Sequence, residues 1–327
     1  MNSFGRIFKI SIFGESHGKG LGVLIDGCPA GISLKEEDFR SSLLRRKSGK
    51  KGTTPRIESD EVSIDSGLFN GFTTGSPIIL NFSNENIKSK DYNEIKKIPR
   101  PGHADLTASQ KYNGFNDYRG GGQFSGRLTL AIVAAGVVAK KLLDGIEINA
   151  KITEVGGETD IENAVDKALK DGDSVGGLLQ CNINGLPVGL GEPFFDSVES
   201  NISHLAFAIP AVKGIEFGIG FKAASSRASD INDSIINQSG KTKSNNSGGI
   251  NGGITNGNEL SFKVAIKPPA SISKAQNSVN IETGKVEEFN IKGRHDACIA
   301  LRFPVILESV AAIVLADFKL IRKTNYV

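Results

Sequence analysis

The chain has 327 residues, 39% apolar and 23% charged, with 39 basic residues against 36 acidic ones. That length can bury a sizeable core, and the near-balanced charge argues against nucleic acid or an anionic membrane as the main partner. Three widely spaced cysteines, Cys28, Cys181 and Cys298, form no C-x-x-C pair, so neither a disulfide framework nor a metal site is expected and a cytoplasmic setting is.

In chain order, FGRIFKISIFGE (4–15) and LGVLID (21–26) read as strands joined through glycines. Arg6, Lys9 and Glu15 interrupt the apolar runs there, so no secretory leader is expected. Ser33-Leu34-Lys35-Glu36 has the capping-box pattern and predicts a helix to about Leu44, with Phe39, Leu43 and Leu44 on one side. A basic stretch follows, RRKSGKKGTTPR (45–56), then short strands at EVSIDSG and at SPIILNF, which ends at Phe82. Two loops rich in glycine and charge, RPGHAD (100–105) and DYRGGGQFSGR (117–127), lead into an apolar helix from Leu128 to about Leu143, with Gly145 as its stop. The apolar run LTLAIVAAGVVA is too short to cross a bilayer.

IEINAKITEV then reads as a strand, DIENAVDKALKD as an amphipathic helix and VGGLLQCNI as a strand. The order strand, helix, strands over Gly22–Phe82 recurs roughly over Gly176–Phe221, where GLLQCNINGLPVG echoes GVLIDGCPAG, and this suggests two similar halves. SGKTKSNNSGGINGGITNGN (239–258) has a linker's composition, although its place between strand-like segments also suits an ordered glycine loop against a ligand. CIALRFPVILESVAAIVLADFKLIRK reads as a long apolar helical pattern interrupted at Pro304. No obvious linker divides the chain, so residues 1–327 read as a single interlaced domain of mixed strands and helices.

Gly14-Glu15-Ser16-His17-Gly18 fits G-x-S-x-G, the nucleophile elbow of a hydrolase. An elbow needs an earlier strand for its oxyanion loop and a helix after the serine. Here Ser16 is near the first residue and GKGLGVLID follows, so the match reads as accidental. The basic run 45–51 reads as a solvated loop or part of an anion site, not a nucleic-acid patch. Only 12 of the 39 basic residues are arginine, and seven of these (Arg45, Arg46, Arg56, Arg100, Arg119, Arg127, Arg294) cluster in the unusual loops. Their planar forks suit phosphate and carboxylate, which points to a multiply charged anionic ligand. His103, beside Arg100, could act as general acid toward a phosphate leaving group. His295-Asp296 reads equally as a catalytic or a structural pair. GGGQFSGR before a helix has the exposed N–H groups and Ser125 hydroxyl of a phosphate-binding turn, but it names no nucleotide.

Taken together and in order, GESHG, RPGHAD, DYRGGGxxSGR, SNNxGGIxGG, KPPASI and GRHDAC closely resemble the chorismate synthase family, from Phe4 to about Asp317. The resemblance implies an α+β fold, a β-α-β sandwich with internal pseudo-two-fold symmetry. The implied activity is 1,4-anti elimination of phosphate from 5-enolpyruvylshikimate 3-phosphate to chorismate, with reduced FMN required although no net redox change occurs. It also implies a homotetramer and NADPH as indirect reductant. No extra segment for flavin reduction is visible, so an external flavin reductase is expected. Carried over by motif, His17 would protonate the reduced flavin, His103 would assist phosphate departure, and Asp296 would work with the flavin in removing the ring proton. Ser16, Arg46, Arg100, Arg127 and Arg294 would bind substrate. FMN would contact Gln123, Phe124, Ser125, Pro210, Ala211, Gly252, Arg294 and the run Lys267, Pro268, Pro269, Ala270, Ser271. Where many members read GGRSSAR this chain has Gln123, which removes a charge near flavin or substrate, and either Lys50 or Lys51 stands in for a second arginine.

Overall fold

The computed structural model describes residues 2–56, 58–86, 93–291 and 295–325. The first half opens with β1 (Ser3–Phe4), β2 (Lys9–Gly14) and β3 (Gly20–Asp26), followed by α1 (Glu37–Arg46), β4 (Ser63–Ser66), the small hairpin β5 (Leu68–Phe69) and β6 (Phe72–Thr73), and β7 (Ile78–Ser83). Short helices α2 (Asn93–Lys97) and α3 (Asp105–Lys111) precede the apolar helix α4 (Thr129–Lys141). The second half runs β8 (Glu147–Val155), α5 (Ile161–Lys170), β9 (Gly177–Asn184), α6 (Val198–Phe207), β10 (Val212–Phe217) and α7 (Ala228–Ile231). The hairpin β11 (Ile250–Asn251) and β12 (Ile254–Thr255), strand β13 (Leu260–Ile266), the hairpin β14 (Gln276–Val279) and β15 (Val286–Phe289), and helix α8 (Phe303–Asn325) complete it.

Two antiparallel sheets result, in the orders β1-β2-β3-β7-β4 and β10-β13-β9-β8. With β2, β3, β4 and β7 matched to β8, β9, β10 and β13, the strand orders coincide, and α1 and α4 correspond to α6 and α8. The expected two halves are therefore present in the topology. The echoing segments fall on β3 and β9, as the sequence suggests, but the second unit extends past Phe221. The counterpart of β7 is β13, reached only after the insertion that carries α7 and β11–β12. Helix α4 lies on β2 and β3, α8 on β8 and β9, and the two helices pack on each other between the sheets. That position explains their composition: every residue from Thr129 to Ala139 is buried, because a helix covered on all sides can be apolar all round. Among the described residues, the segment Ile299–Thr324 is the one helix long and apolar enough to cross a membrane, and it is mostly buried here as the core of the sandwich.

Several local expectations are corrected, each for a physical reason. The predicted first strand breaks at Gly5 (φ +99°), because the Asp317 carboxylate of α8 accepts from the N–H groups of Arg6, Ile7 and Phe8 at 2.8–2.9 Å and draws them out of the ladder. The capping box does not form: Ser33 is held in an extended bridge with Phe72, and Asp38 accepts from Lys35 N–H instead (3.0 Å). Leu44 is exposed while Arg46 joins Phe39 and Leu43 on the buried stripe, since 39, 43 and 46 share the i, i+4, i+7 face. Pro304 does not interrupt α8. It sits in the first turn, where its missing N–H has no partner to lose.

The composition-only linker at 239–258 is an ordered loop. Asp233 accepts from Asn246 N–H and Ser247 N–H (2.8 Å each) and from the Ser244 hydroxyl (2.7 Å). Gly252 and Gly253, both at positive φ, make the two-residue turn between β11 and β12.

The α4–α8 crossing rests on Gly136. A Cβ there would stand 2.3 Å from Ser309 Cβ and 2.7 Å from its Cα. Gly136→Ala is expected to destabilise the fold by about 1–3 kcal/mol despite alanine's better helix propensity. Urea unfolding checks this, and an equal or higher midpoint would contradict the close packing.

Candidate active site

A cavity of about 570 Å3, within the range of small-molecule sites, opens where the end of α1, the start of α8 and loops of both halves converge. One wall is built from buried cations. Arg46, 3% exposed, donates to Thr129 Oγ1 (3.1 Å) and to the carbonyls of Gly126 (3.1 Å) and Arg127 (3.2 Å). Arg127 donates to Asn84 Oδ1 (2.9 Å) and Asp60 Oδ1 (2.6 Å), while the other oxygen of Asp60 lies 3.7 Å from Arg46. One carboxylate thus serves two guanidinium groups. Arg127 Nη2 is buried with no hydrogen-bond partner among the described residues. Burial first, then the charges of Arg302 and Arg127, lower the Arg46 pKa to about 9, so it stays cationic at neutral pH. A bound anion would relieve that cost.

The second wall is set by tight turns. In Arg100-Pro101-Gly102-His103, His103 N–H donates to Arg100 O (3.3 Å) with Gly102 at φ +72°. Proline second and a positive-φ residue third is what a type II turn requires. The turn folds Arg100 and His103 onto one carboxylate, Asp105. Across the cavity, Ile209-Pro210-Ala211-Val212 repeats the pattern with Ala211 at φ +77°, a position that costs a non-glycine residue about 1–2 kcal/mol. Between them Gly120, Gly121 and Gly122 all have positive φ, and no side chain fits at Gly120 or at Gly122, where a Cβ would stand 2.1 Å from the Asp117 carbonyl oxygen. A Cβ on Gly120 would strike the His17 ring at 2.5 Å, and one on Gly121 would come within 3.2 Å of His103. The two histidines therefore flank one glycine turn. Ser125, the expected phosphate-turn hydroxyl, accepts from Arg127 N–H (3.3 Å) at the short 3-10 turn before α4.

His17 lies on the β2–β3 turn, 5% exposed, behind Gly120. Arg56 joins it to Ser16, with Nη1 3.3 Å from His17 Nε2 and 3.4 Å from Ser16 Oγ. Glu58 holds Arg56 at 2.5 Å and is itself fixed by the N–H groups of Glu85 and Asn86. Burial, then the charges of Arg56 and Arg119, lower the His17 pKa to about 4, against opposing effects of Asp117 and Glu58. The imidazole is neutral at pH 7 and accepts from Arg56. Because the unfolded chain, with an ordinary imidazole near 6.5, takes up this proton first, stability is lost as pH falls from about 6.5 to about 4. The loss attributable to His17 is up to about 3 kcal/mol. His17→Asn is expected to flatten that part of the stability–pH curve, and parallel curves for the two proteins would contradict the burial of a neutral ring.

The histidine and aspartate of GRHDAC do not pair with each other. Asp296 accepts from Thr54 N–H (3.0 Å) and Arg302 Nη2 (3.1 Å), while the His295 ring bonds the Ile291 backbone and leaves Nε2 buried without a hydrogen-bond partner among the described residues. The segment before α8 thereby turns a carboxylate into the cavity beside an arginine that the sequence reading did not single out.

The profile of the chorismate synthase family matches residues 8–320. A chorismate synthase of Chitinophaga pinensis is 58% identical over 326 residues, 99% of this chain and 98% of that protein. The chain belongs to the chorismate synthase family. A chorismate synthase of Dehalococcoides mccartyi is 46% identical over 351 residues, covering 98% of this chain and 96% of its own length. A crystal structure of a chorismate synthase superposes with a TM-score of 0.74 at 27% identity, over 98% of this chain and 93% of that one. As a family member the chain is a carbon–oxygen lyase acting at the last common step of the shikimate pathway.

Against the residues carried over from the family's motifs, the cavity gathers most but not all. Ser16, Arg46, Arg100, His103, Arg127 and Asp296 line it, as do Gln123, Phe124, Ser125, Pro210, Ala211 and the run Lys267 to Ser271. His17 is not on its wall and stands behind it, against Arg56 and Gly120. Gly252 is not on its wall: it turns the β11–β12 hairpin, and nothing lies within 4 Å of a Cβ built there. Arg294 lies outside the described residues. Lys50 and Lys51 are also absent from the wall, and Lys51 pairs with Asp166 at the surface (2.5 Å). Arg45 turns away to buried Glu308, and Arg119 pairs with Asp117. Missed were Arg302, Glu58 and Asp60. The last sits at φ +54°, a strain Asp tolerates, but ESDE gives the sequence only a surface-like acidic run.

Proposed function

We propose that this cavity binds 5-enolpyruvylshikimate 3-phosphate together with reduced FMN, and that its residues carry the 1,4-anti elimination of phosphate. The observation behind this reading is the surplus of positive charge facing the cavity, with Arg46 and Arg127 sharing Asp60 and Arg127 Nη2 left without a hydrogen-bond partner among the described residues. An orphan guanidinium N–H suits a phosphate or carboxylate oxygen.

The wall also suits a flavin. Phe124, Ala208, Ile209, Pro210, Pro268 and Pro269 offer apolar contact for a planar ring system, and Lys213 and Lys267 offer charge for its phosphate. Gln123, Ser125, Ala211, Ala270 and Ser271 complete the proposed cofactor contacts, with Arg294 kept from the family motif. Reduced FMN, when bound, supplies electron density to the allylic system as phosphate leaves.

Arg46, Arg100 and Arg127 hold the anionic groups in fixed positions, so the charge developing on phosphate meets donors that need no reorganisation. His103 supplies a proton to the leaving oxygen. Asp296, oriented by Thr54 N–H and Arg302, takes up the ring proton from a separate loop, as an anti elimination requires. Burial, together with the Arg56 and Arg119 charges, keeps His17 neutral, and it gains proton affinity as negative charge arrives. Asp296→Asn is expected to retain flavin binding and lose about 10²–10⁴-fold in turnover. Full activity would remove Asp296 as the base.

Three buried, free cysteines fit a cytoplasmic enzyme. NADPH acts indirectly through an external flavin reductase. Phe194, Phe195 and Phe221, each at least 84% exposed on loops of the second half, suit burial in a homotetramer.

A further inference from the structure

We propose that Asp105 is a positioning residue for His103: its carboxylate accepts a hydrogen bond from Nδ1–H and so presents Nε2 as the atom that transfers a proton to the departing phosphate. This rests on the reading of His103 as the general acid. Asp105 Oδ1 lies 2.6 Å from His103 Nδ1, and Asp105 is the first residue of α3, so its backbone is fixed by the helix.

The same carboxylate binds Arg100, through Oδ2 to the backbone N–H (3.1 Å) and Nε (2.7 Å) and through Oδ1 to Nη2 (2.8 Å). Clamping Arg100 alone would need no approach to the imidazole. Arg100 Nη2 stands 3.0 Å from Nδ1 and 3.2 Å from Nε2. Once Nδ1–H is committed to Asp105, the guanidinium can donate only to Nε2. An arriving phosphate can take that N–H and leave Nε2 to carry the proton that is transferred. The Nε2 edge is kept clear by Gly121, where a Cβ would stand 3.4 Å away. The charges around the ring are Arg100 and Asp105 from its own loop and the Lys267 ammonium, which donates to Gly102 O (2.5 Å) from the segment after β13. Gly121 brings backbone only.

The step balances without a co-reactant. The substrate C–O bond breaks with its electron pair on phosphate, the Nε2–H bond breaks as an O–H bond forms, and the neutral ring keeps Nδ1–H on Asp105. Burial works against the Asp105 anion, but the Arg100 and His103 hydrogen bonds outweigh it and hold the carboxyl well below its usual range.

Nitrogen NMR of 15N-histidine-labelled protein tests this, since the chain has only four histidines and His103→Asn assigns the signal. The wild-type ring is expected as the Nδ1–H tautomer when neutral. In Asp105→Asn the tautomers should mix, and kcat should drop on the order of 10²-fold or more, with Asp105→Glu recovering part of both. A wild-type Nε2–H tautomer would overturn the proposal without any variant, should Asp105→Asn fail to fold. An unchanged tautomer in Asp105→Asn would overturn it equally. A shifted tautomer alongside a fully active His103→Ala would instead sink the general-acid reading and leave the Asp105–His103 geometry standing.

Discussion

Replacing His103 with alanine is expected to lower turnover by about 10²–10⁴-fold while changing substrate affinity far less. In the proposed reading the ring is the proton source, whereas the anion is held by Arg46, Arg100 and Arg127, which also line the cavity and which the substitution leaves in place. Rate and KM measured together decide this. A large rise in KM at constant kcat would make His103 a binding group, and an unchanged rate would remove it from the chemistry.

The second large effect is on stability. Asp60→Asn keeps the size of the side chain and its tolerance of positive φ, but removes the one carboxylate shared by Arg46 and Arg127, both under 10% exposed. Two buried cations would then lose the carboxylate they share, and a loss of about 3–5 kcal/mol is expected. Inorganic phosphate at high concentration should restore part of it, because an anion in the cavity takes over the carboxylate's electrostatic role. Wild-type stability in Asp60→Asn, or no response to phosphate, would contradict the surplus-charge description on which the site rests.

Much of the architecture was legible because it follows local rules. Alternating β7 (IILNFS), read as a strand ending at Phe82, buries every second residue up to Phe82, and the glycine-ended apolar run before Gly145 is helix α4. The echo of GVLIDG in GLLQCNING pointed to equivalent strands β3 and β9. What local rules could not show were contacts made across the whole chain. Asp317 breaks the first strand from more than 300 residues away. Ser33 lost its capping role to a bridge with Phe72, which no capping pattern registers.

The site divides in the same way. Arg100 and His103 are placed by a four-residue turn that the sequence spells out, so RPGHAD could be read directly. Asp60, Glu58 and Arg302 act only through tertiary partners, and their neighbours in sequence give no sign of burial. Gly252 shows the converse: its glycine-rich setting suited a ligand loop, yet the hairpin turn alone accounts for its conformation. The basic run, read as a solvated loop or part of an anion site, divides between the two in the fold: Arg46 faces inward, Arg45 binds Glu308 and Lys51 turns to Asp166.

The most direct test of the central claim is phosphate release from 5-enolpyruvylshikimate 3-phosphate under anaerobic conditions, with and without chemically reduced FMN. Release that requires reduced FMN and is matched by chorismate absorbance is the predicted result. Flavin binding without phosphate release, or release indifferent to flavin, would contradict it.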